Sequence, residues 1–398
     1  MPSTRGPLNA FLDLDDIPVA SAPSGPLAGL TLAVKDIFDV AGYRTGCGNP
    51  QKFEEALPAI ATAPAVQALL DAGARFVGKT QTDELAFSLM GLNAHFPSPV
   101  NPAAPSRITG GSSSGSASAV ASGLADIATG SDTGGSIRAP ASFCGLIGLR
   151  ATHGRISLDG AMPLAPSFDT FGWFARDMAS YEKVGAVLLG EDAHRHDLKR
   201  PLALNVLDAL MLGQKEADAY RDMIRPVASV TGAPKTAEPL SHSIDDLYWC
   251  FRTLQGYEAW QSHGAWISAS GSALGPFVKE RFEHGATSGA DAVQRETQRR
   301  EAFRGELAAL LGEDGVLVLP TVPGAAPLKK APIEDLQNWR ERALRLLCLS
   351  GLSGFPQVTL PLGSVDGAPF GLSLMGPRNS DRQLMALAAR ILAAWRKG

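Results

Sequence analysis

Cysteine is scarce in this chain. Four stand in 398 residues, at Cys47, Cys144, Cys250 and Cys348. None belongs to a CxxC pair, which argues against a structural zinc site or a disulfide framework and leaves reduced, mostly buried thiols as the expectation. An excess of charge of either sign is also lacking. The 36 Lys and Arg and 40 Asp and Glu give a net charge of -4, and no basic block occurs. Nucleic acid and membrane surfaces are therefore not expected as partners. No stretch reaches the length of a membrane span: the apolar run from Gly315 is broken by Pro320 and Pro323. Met1 to Asp16 holds no apolar core of the signal-peptide kind, so a cytoplasmic location is expected.

What the chain does have is a 45% hydrophobic composition, enough for a sizeable core, and 42 glycines. The glycines concentrate, with serine, in two runs. The first reads Ile108-Thr109-Gly110-Gly111-Ser112-Ser113-Ser114-Gly115-Ser116-Ala117, and the second reads Gly130-Ser131-Asp132-Thr133-Gly134-Gly135-Ser136-Ile137-Arg138. One Gly/Ser run alone resembles a flexible linker. Two runs separated by apolar helix- and strand-like sequence do not.

The remaining pattern predicts alternating layers. Residues 1–25 read as an extended arm. Leu30–Val34 alternates as a buried strand ending at Lys35, Ala65–Ala72 reads as a helix stopped by Gly73, and Arg75–Gly78 as a strand. Ser113–Gly123 is helix-compatible, while Ala125–Ala128 and Cys144–Leu149 read as strands. The middle, about 181–310, is more helical and more polar. Strands at 315–319, 357–360 and 370–374 precede a closing helix, Asp381–Trp395. The expectation is an α/β fold, with residues 1–398 as one domain around a mixed sheet and the middle segment as a helical insertion.

Two motif matches lack their context. Gly73 to Thr80 fits GxxxxGK[ST], but a helix precedes Gly73 and Phe76-Val77 is strand-like, the reverse of a phosphate loop. Gly111 to Gly115 fits GxSxG, but no apolar strand precedes it. The downstream histidines (His153, His194, His196, His242, His263, His284) carry no distinguishing context either.

Nucleophilic catalysis needs an activated hydroxyl, a base and donors for the oxyanion. Thr133-Gly134-Gly135-Ser136 can supply the hydroxyl and the donors, since two glycines let N–H groups converge on one point. Asp132 and Arg138 can pair across the loop and fix its shape. The same sequence would also serve as a purely structural turn. Lys35, at the end of an apolar strand, would be neutral near pH 7 if desolvated, or would stand as an ordinary surface or ion-paired lysine.

These segments resemble the amidase signature family. The carriers are Pro26 to Asp36, Gly110 to Ser116, Gly130 to Arg138, Pro140 to Gly145 and Gly351 to Gln357, with 24 positions between Ser112 and Ser136. Within that family the chain looks most like the plant-type indole-3-acetamide hydrolases, through Val34 to Gly42, Asp83 to Ser88 and Thr152 to Ser157. The resemblance implies a large, mixed, twisted sheet covered by helices on both faces. It implies Ser136 as nucleophile, Ser112 as a relay after a cis peptide bond, and Lys35 as base. It further implies backbone N–H groups of Thr133, Gly134, Gly135 and Ser136 as the oxyanion hole, with Ser113 supporting the triad by hydrogen bonding. Ala86, Phe87, Phe143 and Cys144 would line the acyl pocket, and the middle segment would shape the substrate channel. No metal or organic cofactor is implied, and the partner is a small amide. A partnered amidase component of a tRNA-dependent amidotransferase is an alternative, and a non-catalytic amidase-like interaction module a third. The sequence leaves the choice between monomer and homodimer open.

Overall fold

A computed structural model describes residues 3–270 and 274–396. Residues 1 and 2 of the expected arm and 271–273 of the expected insertion lie outside the described residues.

Twelve strands form one sheet among the described residues: β1 (Ser3–Arg5), β2 (Phe11–Asp13), β3 (Thr31–Lys35), β4 (Arg75–Thr80), β5 (Ile127–Asp132), β6 (Ile147–Arg150), β7 (Thr170–Ala175), β8 (Arg200–Ala203), β9 (Lys235–Thr236), β10 (Gly315–Pro320), β11 (Gln357–Val365) and β12 (Ala368–Met375). Their order is β1-β2-β4-β3-β5-β7-β6-β11-β12-β10-β8-β9. The sheet is mixed. β4, β3 and β5 run parallel, as do β10, β8 and β9, while β7, β6, β11 and β12 are joined by antiparallel pairing.

Alternate residues of the central strands enter two separate apolar clusters. Leu32, Val34, Ile127 and Trp173 belong to the larger one, whereas Ala33, Ala128 and Phe174 join Ala117, Val120 and Ile137 in the smaller. Successive side chains of a strand point to opposite faces. Two clusters drawn from alternate positions therefore mean that this part of the sheet is buried on both sides, which explains its near-continuous apolar sequence.

The structure departs from the sequence reading at several points. The arm is not simply extended, because β1 and β2 form an antiparallel pair, and β2 reaches β4 through Phe11 and Thr80. The middle segment is not purely helical: β8 and β9 come from it and extend the sheet beyond β10. The segment from Cys144 splits. A helix runs over Arg138–Cys144, Gly145 closes it at φ +68°, and only then does β6 begin. Glycine takes that left-handed geometry without a Cβ penalty, which makes it a natural helix stop. The long helix Ile333–Ser353 and strand β7 had no distinct sequence signal.

β3 and β5 end side by side, at Lys35 and Asp132. In open α/β sheets ligands bind beyond the carboxyl ends of such parallel strands. Both Gly/Ser runs meet there.

Candidate active site

Lys35 is fully buried. Its Nζ donates to Ser112 Oγ at 2.8 Å and to Ser131 Oγ at 2.8 Å. Its own N–H is held by Thr129 Oγ1 at 3.0 Å. No ion pair reaches it among the described residues. Burial lowers its pKa from 10.5 to about 7, against the opposing pull of Asp83, Asp132 and Asp169. A buried ammonium without a contacting carboxylate is poorly solvated, so the neutral amine gains ground.

Ser112 is fixed from both sides. The Gly111–Ser112 peptide is cis. The Ser112 carbonyl accepts Thr82 Oγ1 at 2.9 Å and the Asp83 N–H at 3.1 Å. Asp83 in turn accepts Ser114 Oγ at 2.9 Å and the Gly91 N–H at 2.9 Å. Only glycine fits at position 111, since a Cβ there would lie 2.1 Å from Asp83 Oδ2. Ser113 Oγ lies 3.3 Å from the carbonyl and 3.4 Å from the N–H of Ser131, the residue that also accepts from Lys35. The helix Ser114–Ala121 follows immediately. The GxSxG match is thus entered from a loop rather than a strand. The GxxxxGK[ST] match is likewise consumed by structure: Lys79 sits in β4, and its Nζ pairs with buried Asp36 at 2.8 Å.

The second run forms a turn between β5 and the helix Arg138–Cys144, organised by Asp132. This carboxylate accepts the Gly135 N–H at 2.8 Å, the Ile137 N–H at 3.2 Å, and Arg138 through Nε and Nη2, both at 2.9 Å. Arg150 Nη1 adds a contact at 3.0 Å. Burial alone would raise the pKa of Asp132, but Arg138 and Arg150 hold it well below the usual carboxylate range. The expected Asp132–Arg138 pair is therefore present, buried and bidentate. One expectation is corrected. The Gly135 N–H is committed to Asp132, so it is not free for an oxyanion. No such partner takes the Thr133, Gly134 or Ser136 N–H among the described residues. Gly134 is covered by Phe251, which a Cβ would meet at 2.7 Å, and Gly135 takes φ +125° against Leu347. Ser136 ends this turn and is 4% exposed.

A cavity of about 230 Å³ opens beside Ser131 and Thr133. Its wall is mainly apolar, from Ile37, Leu158, Ala161, Met162 and Leu164, with Asp169 as the acidic member. Ala86 lines it as expected from the sequence; Phe87, Phe143 and Cys144 do not. Phe87 packs instead on Phe282, ring centroids 5.0 Å apart. Phe143 is fully buried against Trp339 at 5.0 Å and supports Gly110 from beneath. Cys144 Sγ lies 3.6 Å from the Thr109 carbonyl oxygen, and burial raises its thiol pKa. The reason is geometric: two helical turns after Ser136 the chain has passed into the core, and every residue of Arg138–Cys144 is buried.

Sequence reasoning missed four contributors. Ser131 alternates with Thr129 along β5, a period-two signal that was available. Arg150 ends the apolar strand β6 as Lys35 ends β3, and its guanidinium also holds the Phe168 carbonyl at 2.7 Å. Asp169 accepts Thr133 Oγ1 at 2.5 Å and the N–H groups of Leu164 and Ala165 at 2.8 and 3.0 Å, tying the cavity wall to the turn. The wall, residues 158–166, has no periodicity to read. Met162 N–H donates to the Ile37 carbonyl at 2.8 Å, pinning it beyond β3. Of the histidines, two reach the wall: His263 Nε2 lies 2.7 Å from the Pro163 carbonyl oxygen and His153 Nε2 2.9 Å from that of Pro166, and burial lowers the pKa of both, that of His263 to about 4.

Comparison with known proteins agrees with this architecture. The profile of the family described as Amidase matches residues 10–217 and 266–385. The chain is 38% identical to Amidase 1 of Arabidopsis thaliana, over 98% of this chain and 99% of that protein. It is 29% identical to a glutamyl-tRNA(Gln) amidotransferase subunit of Methanospirillum hungatei, over 94% of each. A crystal structure of an amidase superposes with TM-score 0.81 at 31% identity, covering 93% of this chain and 85% of that one. The chain belongs to the amidase signature family and is an amidohydrolase acting on C–N bonds.

Proposed function

We propose that this protein hydrolyses a small apolar or aryl-acyl amide through Ser136, Ser112 and Lys35. The observation that carries the reading is the buried Lys35 amine, 2.8 Å from Ser112 Oγ, with a pKa of about 7 and no ion-pair partner among the described residues. A neutral amine in that position is a base.

In this reading Ser136 Oγ attacks the amide carbonyl carbon and passes its proton to Ser112 Oγ, while the Ser112 proton moves to Lys35 Nζ. The oxyanion is met by N–H groups of the Thr133–Ser136 turn other than that of Gly135. As the C–N bond breaks, the proton returns from Lys35 through Ser112 to the leaving amine, leaving an acyl group on Ser136. Water then attacks the acyl carbon by the same relay, releasing the carboxylic acid and restoring the Ser136 hydroxyl. The apolar wall of the 230 Å³ cavity favours a compact apolar acyl group.

A turnover screen over primary amides, carbamates and amino-acid amides, including indole-3-acetamide, tests the reading. Hydrolysis of an apolar or aryl-acyl amide is expected. Ser136→Ala should abolish it with the fold intact, and a fluorophosphonate should label Ser136. Turnover retained in Ser136→Ala would contradict the assignment.

A further inference from the structure

Glu84 carries a buried carboxylate, 1% exposed, that the steps above do not use. Three segments of the chain reach it. Oε1 accepts Asn49 Nδ2 at 2.7 Å and His95 Nε2 at 2.6 Å, and Oε2 accepts the Gly275 N–H at 2.8 Å. Asn49 cannot turn its amide round, because its Oδ1 accepts the Lys52 N–H at 2.9 Å and caps the helix Pro50–Glu55. The Gly275 N–H can only donate. Glu84 thus faces donors on both oxygens, a demand that a carboxylate meets and a side-chain amide does not. Gly275 is also the N-cap of the helix Pro276–Ala286, whose dipole favours an anion at that end. A Cβ at Gly275 would lie 2.8 Å from Ala94 Cβ, so glycine permits the close approach.

The residues that follow Glu84 need holding. Leu85 at φ +47° and Ala86 at φ +55° are consecutive side-chain-bearing residues in the left-handed region. Such backbone is unfavourable and persists only where its surroundings impose it. The Leu85 N–H donates to the Cys47 carbonyl at 2.8 Å. The helix that begins on Glu84 meets the turn again at its exit, where Arg281 donates to the Phe87 carbonyl and Phe282 packs on the Phe87 ring. Ala86, between these two anchors, lines the 230 Å³ cavity.

The same helix reaches the rest of the cavity wall. Phe282 meets the His263 ring with centroids 5.6 Å apart, and His263 Nε2 lies 2.7 Å from the Pro163 carbonyl oxygen. One helix therefore links the Ala86 turn to residues 158–166. Asp83, by contrast, is anchored without Glu84: its carboxylate accepts from Ser114 and Gly91, and its N–H stays on the Ser112 carbonyl. Loss of the Glu84 contacts should release Ala86 and leave Ser112 in place.

We propose that Glu84 is a positioning residue for the acyl cavity. It couples the helix Pro276–Ala286 to the Leu85–Ala86 turn and so sets where Ala86 meets the acyl group of the substrate. That an acyl group lies there rests on the proposed amidase function; the coupling itself does not.

Glu84→Gln in the whole protein tests this, because it keeps the side-chain shape and sets an amide NH2 group against donors. On a neutral apolar amide, KM should rise at least about fivefold with kcat within about twofold, the pattern of lost binding geometry rather than lost chemistry. Discrimination between short and long acyl groups should fall by about the same factor. The pH profile should keep its apparent pKa of about 7, since no contact of Lys35 is touched. His95→Ala, which removes one donor from Oε1, should raise KM about threefold, and His95→Gln should restore it. The proposal is overturned if Glu84→Gln lowers only the melting temperature, with KM and acyl preference unchanged, or if kcat falls while KM does not move. Should Glu84→Gln fail to fold, the two His95 variants decide in the same way. Hydrogen exchange keeps the test apart from the amidase reading. In Glu84→Gln the amides of Leu85, Ala86 and Phe87 should exchange at least about tenfold faster, and those of β5 at the wild-type rate. Wild type that hydrolyses no amide would defeat the amidase reading alone, whereas unchanged exchange at Leu85 to Phe87 would defeat the coupling.

Discussion

The ends of β3 and β5 and the wall that faces them, residues 158–166, are built differently. At the strand ends the buried side chains of Lys35, Ser131 and Asp132 and the Ser112 carbonyl all have partners. Lys35 meets two serines, Asp132 meets two arginines and three amides, and Ser112 is gripped through its carbonyl. The wall is mainly apolar in its side chains and is held through its backbone, by Asp169, by the Met162–Ile37 hydrogen bond, by the Asp39 N–H on the Gly160 carbonyl, and by His263 and His153 at the Pro163 and Pro166 carbonyls. A polar network in a low-dielectric interior tolerates little change, because each lost partner leaves a buried group unsatisfied. An apolar wall tolerates repacking. Chemistry should therefore be brittle at the strand ends, and substrate choice adjustable at the wall.

Substitutions probe that contrast. The largest effect is expected from Ser136→Ala, with kcat falling by at least about 10⁴-fold while the melting temperature is kept. Next comes Lys35→Met, which should abolish turnover yet stabilise the fold in a pH-dependent way. The folded-state pKa of Lys35, about 7, lies below its unfolded value near 10.5. Below pH 7 both states are protonated and the burial penalty is full, about 5 kcal/mol by linkage; it shrinks as pH rises toward the unfolded pKa. The gain in melting temperature on Lys35→Met should thus be larger at pH 6 than at pH 9. A pH-independent gain would show that Lys35 carries no such penalty. Gly111→Ala drives a Cβ into Asp83 and should cost about 2 kcal/mol or more in denaturant unfolding. The smallest effect on the fold should come from the wall. Met162 borders both the 230 Å³ cavity and an outer one of about 380 Å³. Met162→Ala should join them and raise kcat/KM for longer acyl groups, relative to shorter ones, by about tenfold. An unchanged chain-length preference would remove Met162 from the acyl wall.

The same contrast governs what was legible in the sequence. The geometry of the strand ends is written locally. A Gly-Gly-Ser turn flanked by Asp and Arg and a lysine ending an apolar strand are short-range signals, and they pointed to Ser136, Lys35 and the Asp132–Arg138 pair, whereas Ser112 came from the family resemblance. Strand β3 and the closing helix were read from hydrophobic periodicity. The wall was not legible, because Leu158, Met162 and Leu164 carry no period and acquire a role only when Asp169 and Ile37 hold them in place. Phe143 and Cys144 show the converse: closeness to Ser136 in sequence suggested a lining role, yet the helix carried them into the core. Gly135 shows a further limit, since backbone donors are counted correctly only once their side-chain acceptors are known.

The most direct test of the central claim is the pH dependence of kcat/KM on a neutral amide, measured from pH 5 to 9. If neutral Lys35 is the base, the rate rises with pH through an apparent pKa of about 7 and then levels, because only the deprotonated amine accepts the Ser112 proton. A flat profile across that range, or the same rise in Lys35→Met, would contradict it.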